Sequence, residues 1–306
     1  MIQVIPINRQ AELRTDRSFI EQQRAHPASR HILWYEGQVL FGEIGHYFSS
    51  RLIKKYQPLL SNQIYLGEYQ QIPYFAHQII QNNSSFDTFE FKALRAAGLL
   101  VDNLDLGLLF YTQGLFNWHN SHQFCGWCGQ QSQIIKAGHS RRCVNKKCQK
   151  EHFPRIEPAV IFSVENNQSG ESQILLARQP VWDEHRYSVL AGFVEHGESL
   201  EQAVKRECQE EVGLNIDSVE YISSQPWPFP GSLMLGFACQ TTQTEIYLND
   251  NEIEIAEWFN IERFEKSMQQ GLLKMPFSVS ISRFLIDRWY HKNTGKSLNA
   301  FQTQLR

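Results

Sequence analysis

The stretch Gly192-Phe193-Val194-Glu195-His196-Gly197-Glu198, followed seven residues later by Arg206-Glu207-Cys208-Gln209-Glu210-Glu211-Val212-Gly213-Leu214, decides how the chain is read. On a helix, Glu207, Glu210 and Glu211 stand at i, i+3 and i+4, so their carboxylates share one face. Like charges at that spacing destabilise a bare helix by a few tenths of a kcal/mol per pair; a divalent cation turns the repulsion into binding. The pattern predicts a helix over Leu200–Val212 with Leu200, Ala203, Val204, Cys208 and Val212 as its apolar positions. Glu207 and Glu211 follow Ala203 at steps of four, so they border the buried stripe, where a merely solubilising acidic helix would put its charges opposite. Hard oxygen ligands suit Mg²⁺ or Mn²⁺. Gly192 and Gly197 bracket a loop that turns sharply and approaches its neighbours closely, and Arg206 is placed to pair with a glutamate and fix its rotamer.

Working outward, Cys125-Gly126-Trp127-Cys128-Gly129 is a Cys-x2-Cys knuckle, and after fourteen intervening residues Cys143 and Cys148 supply a second pair at the wider x4 spacing. Four thiolates in two close pairs make a closed, structural Zn²⁺ site. The remaining cysteines, Cys208 and Cys239, stand alone, an arrangement that fits a metal site in a reducing compartment better than three bridges. His122, His139 and His152 flank the cluster and are read as bystanders. The basic residues around it, with His139, Arg141, Arg142, Lys146, Lys147 and Lys150, form either a solvated charged loop or a contact for RNA phosphates.

Downstream, Ser224-Gln225-Pro226-Trp227-Pro228-Phe229-Pro230-Gly231-Ser232 holds three prolines that stiffen the backbone and present Trp227 and Phe229. A rigid aromatic wall for stacking a base or a nicotinamide ring and a purely structural turn are equally good readings of these residues.

Gly192, Glu198, Arg206, Glu207, Glu210, Glu211, Gly213 and Leu214 reproduce the Nudix box, Gly-x5-Glu-x7-Arg-Glu-U-x-Glu-Glu-x-Gly-U, at every spacing; only Cys208 departs, at a position where an aliphatic residue is usual. The proline-rich stretch resembles the signature of the NADH pyrophosphatase branch of that family, in which a four-cysteine zinc ribbon precedes the catalytic domain. Phe153-Pro154-Arg155-Ile156-Glu157-Pro158 resembles the branch's linker. The resemblance covers about residues 120 to 290. It implies an α+β chain: a Nudix α/β/α sandwich with a four-cysteine zinc ribbon and a mixed α/β N-terminal domain. It further implies hydrolysis of the diphosphate bond of NAD(H) to NMN(H) and AMP, and removal of NAD caps from RNA 5′ ends by the same chemistry. Glu207, Glu210 and Glu211 then hold the divalent ions with Glu252 as a further ligand, and Glu211 or a neighbour deprotonates the attacking water. Phe193 and Trp227 contact the nicotinamide side, Phe153 falls where an aromatic is expected beside the ring, and Ser232 lies near the pocket. The rivals are another nucleotide substrate, such as ADP-ribose or a dinucleoside polyphosphate, and a zinc-ribbon RNA-binding protein whose hydrolase domain has lost activity. Family members are commonly homodimers.

The chain has 306 residues, 42% of them hydrophobic, and a formal charge of −3, so global charge does not mark a nucleic-acid binder. No apolar run reaches the ~20 residues that span a bilayer, and no leader pattern opens the sequence; the expected setting is cytoplasmic, without membrane contact. The expected domains are 1–120 (scaffold or dimer surface), 121–155 (zinc ribbon), 156–291 (catalytic) and a mobile tail over 292–306. In the first domain the sequence predicts a hairpin over Ile32–Phe41, a strand at Ile64–Gly67 and a helix from Phe86 to Leu115, broken near Ala96-Ala97-Gly98. In the catalytic domain it predicts strands at Pro158–Val164, Gln173–Ala177, Val219–Ile222 and Leu233–Ala238, and a last helix over Ser278–His291. No internal repeat is visible.

Overall fold

The computed structural model describes residues 6–43, 45–80, 86–168, 170–249 and 252–304. The chain divides into two units: Ile2–Ile156 with Trp227–Gly231, and Glu157–Pro226 with Ser232–Arg306.

The first unit begins with α1 (Arg17–Ala25) and the strands β1 (Arg30–Tyr35), β2 (Gln38–Phe41) and β3 (Phe48–Ser49). Then come α2 (Ser50–Tyr56), β4 (Leu60–Tyr69), β5 (Ile72–Ile79), β6 (Glu90–Ala93), α3 (Leu94–Ala97) and α4 (Asn103–Ser121). The sheet order is β4-β5-β1-β2-β6, with β3 on β1. The hairpin over β1 and β2 matches its expected place, Trp34 pairing with Val39 across the Gly37 turn. Leu33, Leu40, Phe48, Ile53, Tyr56, Leu60, Ile79 and Phe86 make one core; Trp34 meets Phe116 of α4 at 6.4 Å. The expected helix over Phe86–Leu115 is not formed as such. Its first part is the edge strand β6, paired with β2 from Gln38↔Ala93 to Phe41↔Glu90, and the long helix starts only at Asn103, capped by Asp102. Ladder bonds to β2 hold Glu90-Phe91-Lys92-Ala93 extended, and the Ala- and Leu-rich run that follows forms only the short α3.

The ribbon follows as a three-stranded sheet of β7 (Ser132–Ile135), β8 (Ser140–Cys143) and β9 (Glu151–His152).

The second unit runs β10 (Glu157–Asn166), β11 (Gln173–Arg178), β12 (Leu190–Phe193), α5 (Leu200–Val212), β13 (Ser218–Trp227), β14 (Ser232–Gln240), β15 (Ile255–Phe259), α6 (Ile261–Gln269), α7 (Ile281–Thr294) and α8 (Leu298–Gln304). The order is β13-β14-β10-β11-β15, with β12 on β10. Alternation along β10 sends Val160, Phe162 and Val164 to one face, against Ala203, Val204, Cys208 and Val212 of α5. Ile161 goes to the other face, with Leu285, Ile286 and Trp289 of α7. The result is the expected α/β/α sandwich. The described part of the tail, expected to be mobile, is helical: α7 runs on to Thr294, and Leu298 and Phe301, three apart on α8, bury themselves in the α7 core.

The sequence shows no repeat, yet the two sheets share one topology: β1 and β10 each pair in parallel with the fifth strand of their unit and antiparallel with the second and third. In each unit a helix follows the third strand. In the first unit that helix is α2, Ser-Arg-Leu-Ile-Lys-Lys-Tyr, which has no carboxylate. The strand order is shared and the carboxylates are not, so the likeness between the two sheets leaves no motif in the sequence.

Candidate active site and zinc centre

β12 ends in Gly192 and Phe193, and the loop after it delivers Glu198 to the start of α5. Ser199 accepts from the Gln202 backbone N–H while the Gln202 side chain accepts from that of Ser199, a reciprocal cap. Gly213 ends the helix in a left-handed conformation at φ 71°. The apolar stripe is as expected, and Cys208 is fully buried within it, so the unusual residue serves as a small core side chain.

The stripe sets three different environments for the glutamates. Glu211 is 3% exposed, the Glu207 side chain 15% and that of Glu210 56%. Arg206 organises them. Its Nε and Nη2 donate to the two oxygens of Glu198 at 2.6 and 3.0 Å, its Nη1 to Glu207 and Glu210 at 2.9 and 2.8 Å, and Nη2 also to the Phe193 carbonyl at 2.9 Å. All five N–H donors of the guanidinium are thereby used. The sequence reading had Arg206 pairing with one glutamate; it binds three, and Glu198, not assigned a role, is its bidentate partner. Glu198 is held below the usual carboxylate range by Arg206 and by the Glu195 N–H. Glu207 is pushed up, first by burial, with Glu210 and Glu252 adding repulsion against the opposing pull of Arg206. Glu252 therefore lies within electrostatic reach of Glu207; its carboxylate accepts from Gln179 Nε2 at 2.7 Å, a partner with no sequence signal.

Gly192 is required by a close approach. It pairs with Val160 in the sheet, and a Cβ on it would coincide with the Glu207 carboxylate. Phe193, next in the strand, exposes its ring, and Ser232 is buried at the start of β14 opposite Glu157.

Trp227 and Phe153 belong to the other unit. Trp227 opens the proline-rich tip, where it meets Phe229 edge-on at 5.1 Å and Phe110 of α4 at 6.3 Å. The tip is also tied structurally: Gln113 Nε2 donates to the Pro228 carbonyl at 2.9 Å, and Asn117 Nδ2 to those of Pro228 and Pro230 at 3.1 and 2.8 Å. Phe153 is exposed, with the Lys136 ammonium 5.3 Å from its ring centre.

In the ribbon, the Sγ atoms of Cys125, Cys128, Cys143 and Cys148 all lie within 4.8 Å of one another. Cys125–Cys148 at 3.8 Å and Cys128–Cys143 at 3.5 Å are far too long for disulfides and close to the edge of about 3.8 Å that a tetrahedron with ~2.3 Å Zn–S bonds requires. The thiols thus fit zinc. Gly129 turns the first knuckle at φ 71°; Gly126 has no such requirement. His152, read as a bystander, stands 3.2 Å from Cys125 Sγ as a partner to that sulfur. His139 and Arg141 are buried, contrary to the surface-loop reading: His139 bonds the Tyr65 carbonyl, and Arg141 bonds Ser132. Cys128 is drawn down to about 7, chiefly by the Gln130 N–H, whereas burial pushes Cys143 up to about 12. Binding zinc must remove the Cys143 proton, so affinity is expected to fall as pH falls. Titrating zinc with a colorimetric chelator at pH 8 and pH 6 should show weaker retention at pH 6, and Cys143→Ser should retain little zinc at either.

The α5 carboxylates are hard oxygen donors, the ligand type that suits Mg²⁺ or Mn²⁺.

Three family profiles match: an NADH pyrophosphatase-like rudimentary NUDIX domain over residues 29–118, an NADH pyrophosphatase zinc ribbon domain over 120–153 and a NUDIX domain over 155–275. An NAD-capped RNA hydrolase NudC of Stutzerimonas stutzeri is 35% identical over 260 residues, 85% of this chain and 88% of that protein. A NudC of Mycobacterium bovis is 40% identical over 205 residues, 64% of this chain; the match spans 64% of that relative's length. The mitochondrial NAD(P)H pyrophosphatase NUDT13 of Mus musculus is 36% identical over 225 residues, 69% of this chain and 62% of that protein. The chain belongs to the NADH pyrophosphatase branch of the Nudix hydrolase family.

Proposed function

We propose that this chain hydrolyses the diphosphate bridge of NAD(H), giving NMN(H) and AMP, and removes NAD caps from RNA 5′ ends by the same reaction. The observation that carries the reading is the pair Glu207 and Glu210 of α5, both held by Arg206, beside a glycine that makes room for Glu207. Glu207, Glu210, Glu211 and Glu252 hold Mg²⁺ or Mn²⁺, which supplies charge neutralisation at the diphosphate. Arg206 fixes the rotamers of Glu207 and Glu210, so little reorganisation is needed when substrate arrives. Glu211 accepts a proton from the attacking water. The water oxygen forms the new bond to phosphorus, the bridging P–O bond breaks, and the leaving phosphate carries the electron pair. Phe193, Trp227 and Phe153 contact the nicotinamide moiety, and Ser232 helps to shape the pocket. Residues 1–120, 121–155 and 156–291 serve as scaffold, ribbon and catalytic domain, and the assembly is a homodimer, as in family members. A reducing, cytoplasmic setting keeps the four thiols free for zinc. No helix among the described residues is long and apolar enough to cross a membrane.

The test is product analysis of the zinc-loaded protein with Mn²⁺ and, in parallel, NADH, ADP-ribose and a dinucleoside polyphosphate. NMNH and AMP from NADH, at the highest kcat/KM of the three, are expected. Preferential cleavage of either other substrate overturns the assignment.

A further inference from the structure

The ribbon carries a surface that hydrolysis of NAD(H) does not use. From Leu106 to Lys150 the sequence has no acidic residue and six basic ones, in a chain whose formal charge is −3. Three of the six are spoken for: Arg141 is buried on Ser132, and Lys136 and Arg142 pair with Glu151. Lys146, Lys147 and Lys150 are exposed. Lys146 and Lys147 ride on the second knuckle, which the 3.5 Å approach of Cys128 to Cys143 ties to the first. At the tip of the first knuckle Trp127 is 72% exposed, although the Lys150 ammonium already lies 3.5 Å from its ring centre. An indole held out beside Lys150, with Lys146 and Lys147 exposed on the adjoining knuckle, offers a flat face for stacking and point charges for phosphates. That combination recognises unstacked bases on a flexible backbone, whereas duplexes hide their base faces.

We propose that this knuckle face binds the single-stranded RNA body that follows an NAD cap, with a base stacked on Trp127 and phosphates on Lys146, Lys147 and Lys150. The inference rests on the cap-removal reading above. It assigns the ribbon a substrate-binding role in addition to its structural one, and predicts that RNA body and nicotinamide moiety are recognised by different residues.

The experiment uses the full, zinc-loaded chain, with zinc content checked for each variant, and three readouts: NADH hydrolysis, cleavage of a single-stranded NAD-capped RNA, and fluorescence-anisotropy binding of the same RNA without its cap. Trp127→Ala is expected to weaken uncapped RNA binding about tenfold and to raise KM for capped RNA, with kcat/KM for NADH unchanged. Trp127→Tyr, which keeps an aromatic ring, should restore most of the binding. Joint replacement of Lys146, Lys147 and Lys150 by Ala should flatten the plot of log affinity against log salt by about 2, the slope expected for three phosphate contacts on a single strand. Wild-type affinity for uncapped RNA in both the Trp127→Ala and the triple variant overturns the proposal, as does equal binding of duplex RNA. Cleavage of NADH without cleavage of capped RNA is a different result: it removes the cap-removal reading, and the uncapped-RNA binding series still decides the surface.

Discussion

Glu211→Gln is expected to lower NADH turnover by about 10³-fold, the equivalent of the several kcal/mol that charge stabilisation at a phosphoryl centre contributes, while the protein melts at the same temperature or higher. The two halves of this expectation share a cause. Glu211 is nearly as buried as the apolar side chains beside it on α5, and its charge is close enough to help push the Cys208 thiol upward. A buried acidic side chain is costly to desolvate, and glutamine keeps its shape without the acid group. Fold stability and metal affinity therefore pull in opposite directions at this position, the pattern expected of a functional group. Glu210→Gln, at a much more exposed site, should cost less activity and leave Tm unchanged. Steady-state kinetics with Mn²⁺, a manganese titration and a thermal melt measure all three quantities. A Glu211→Gln enzyme with near wild-type turnover, or one that loses activity only because it unfolds, would remove Glu211 from the chemistry.

The catalytic half of the fold was legible because its sequence states the same thing at several levels. The spacing of the glutamates and the apolar stripe specify one helix, and α5 spans Leu200–Val212 as read, with Ser199 and Gly213 closing its ends in the structure. The β10 run Ala159–Phe162 is apolar throughout because both faces of that strand are covered, by α5 and α7. The N-terminal half lacked such agreement. The Phe86–Leu115 region has helix-forming composition, and only pairing with β2 makes a strand of Glu90–Ala93. Its relationship to the second unit was invisible because it lies in strand order and direction, which side chains encode only through burial.

Within the site, identities were legible and environments were not. The box names three glutamates, but nothing in their spacing says that one is buried, one half-buried and one in water. Those differences follow from where the sheet lies under α5. The role of Arg206 needed the loop: Glu198 and the Phe193 carbonyl reach it only because the chain folds back between β12 and α5. Likewise, Gln179 meets Glu252 across a sequence separation that no local pattern spans. The proline-rich tip shows the opposite limit. Its rigidity was readable, whereas its attachment to Gln113 and Asn117 was not.

Gly192→Ala is expected to reduce kcat by about 10²-fold, the effect of misplacing a reactive group by roughly 1 Å, although alanine suits a strand better than glycine and the position has no left-handed backbone to strain it. The reason is steric and local. A methyl group at Gly192 claims the volume of the Glu207 carboxylate, and Gly192 cannot retreat because its strand is paired from Ala159↔Phe193 to Phe162↔Leu190. Glu207 must therefore move, and moving it strains the bond to Arg206, which also holds Glu210 and Glu198. One methyl group thus disturbs the three carboxylates that Arg206 holds without touching substrate. If this account is right, Gly192→Ala should weaken manganese binding and lower kcat together, and shortening the crowded side chain with Glu207→Asp in the same protein should relieve the clash and cost less than the product of the two single effects. Strictly multiplicative losses would mean that the two positions act independently, and that Gly192 matters for some reason other than the room it leaves for Glu207.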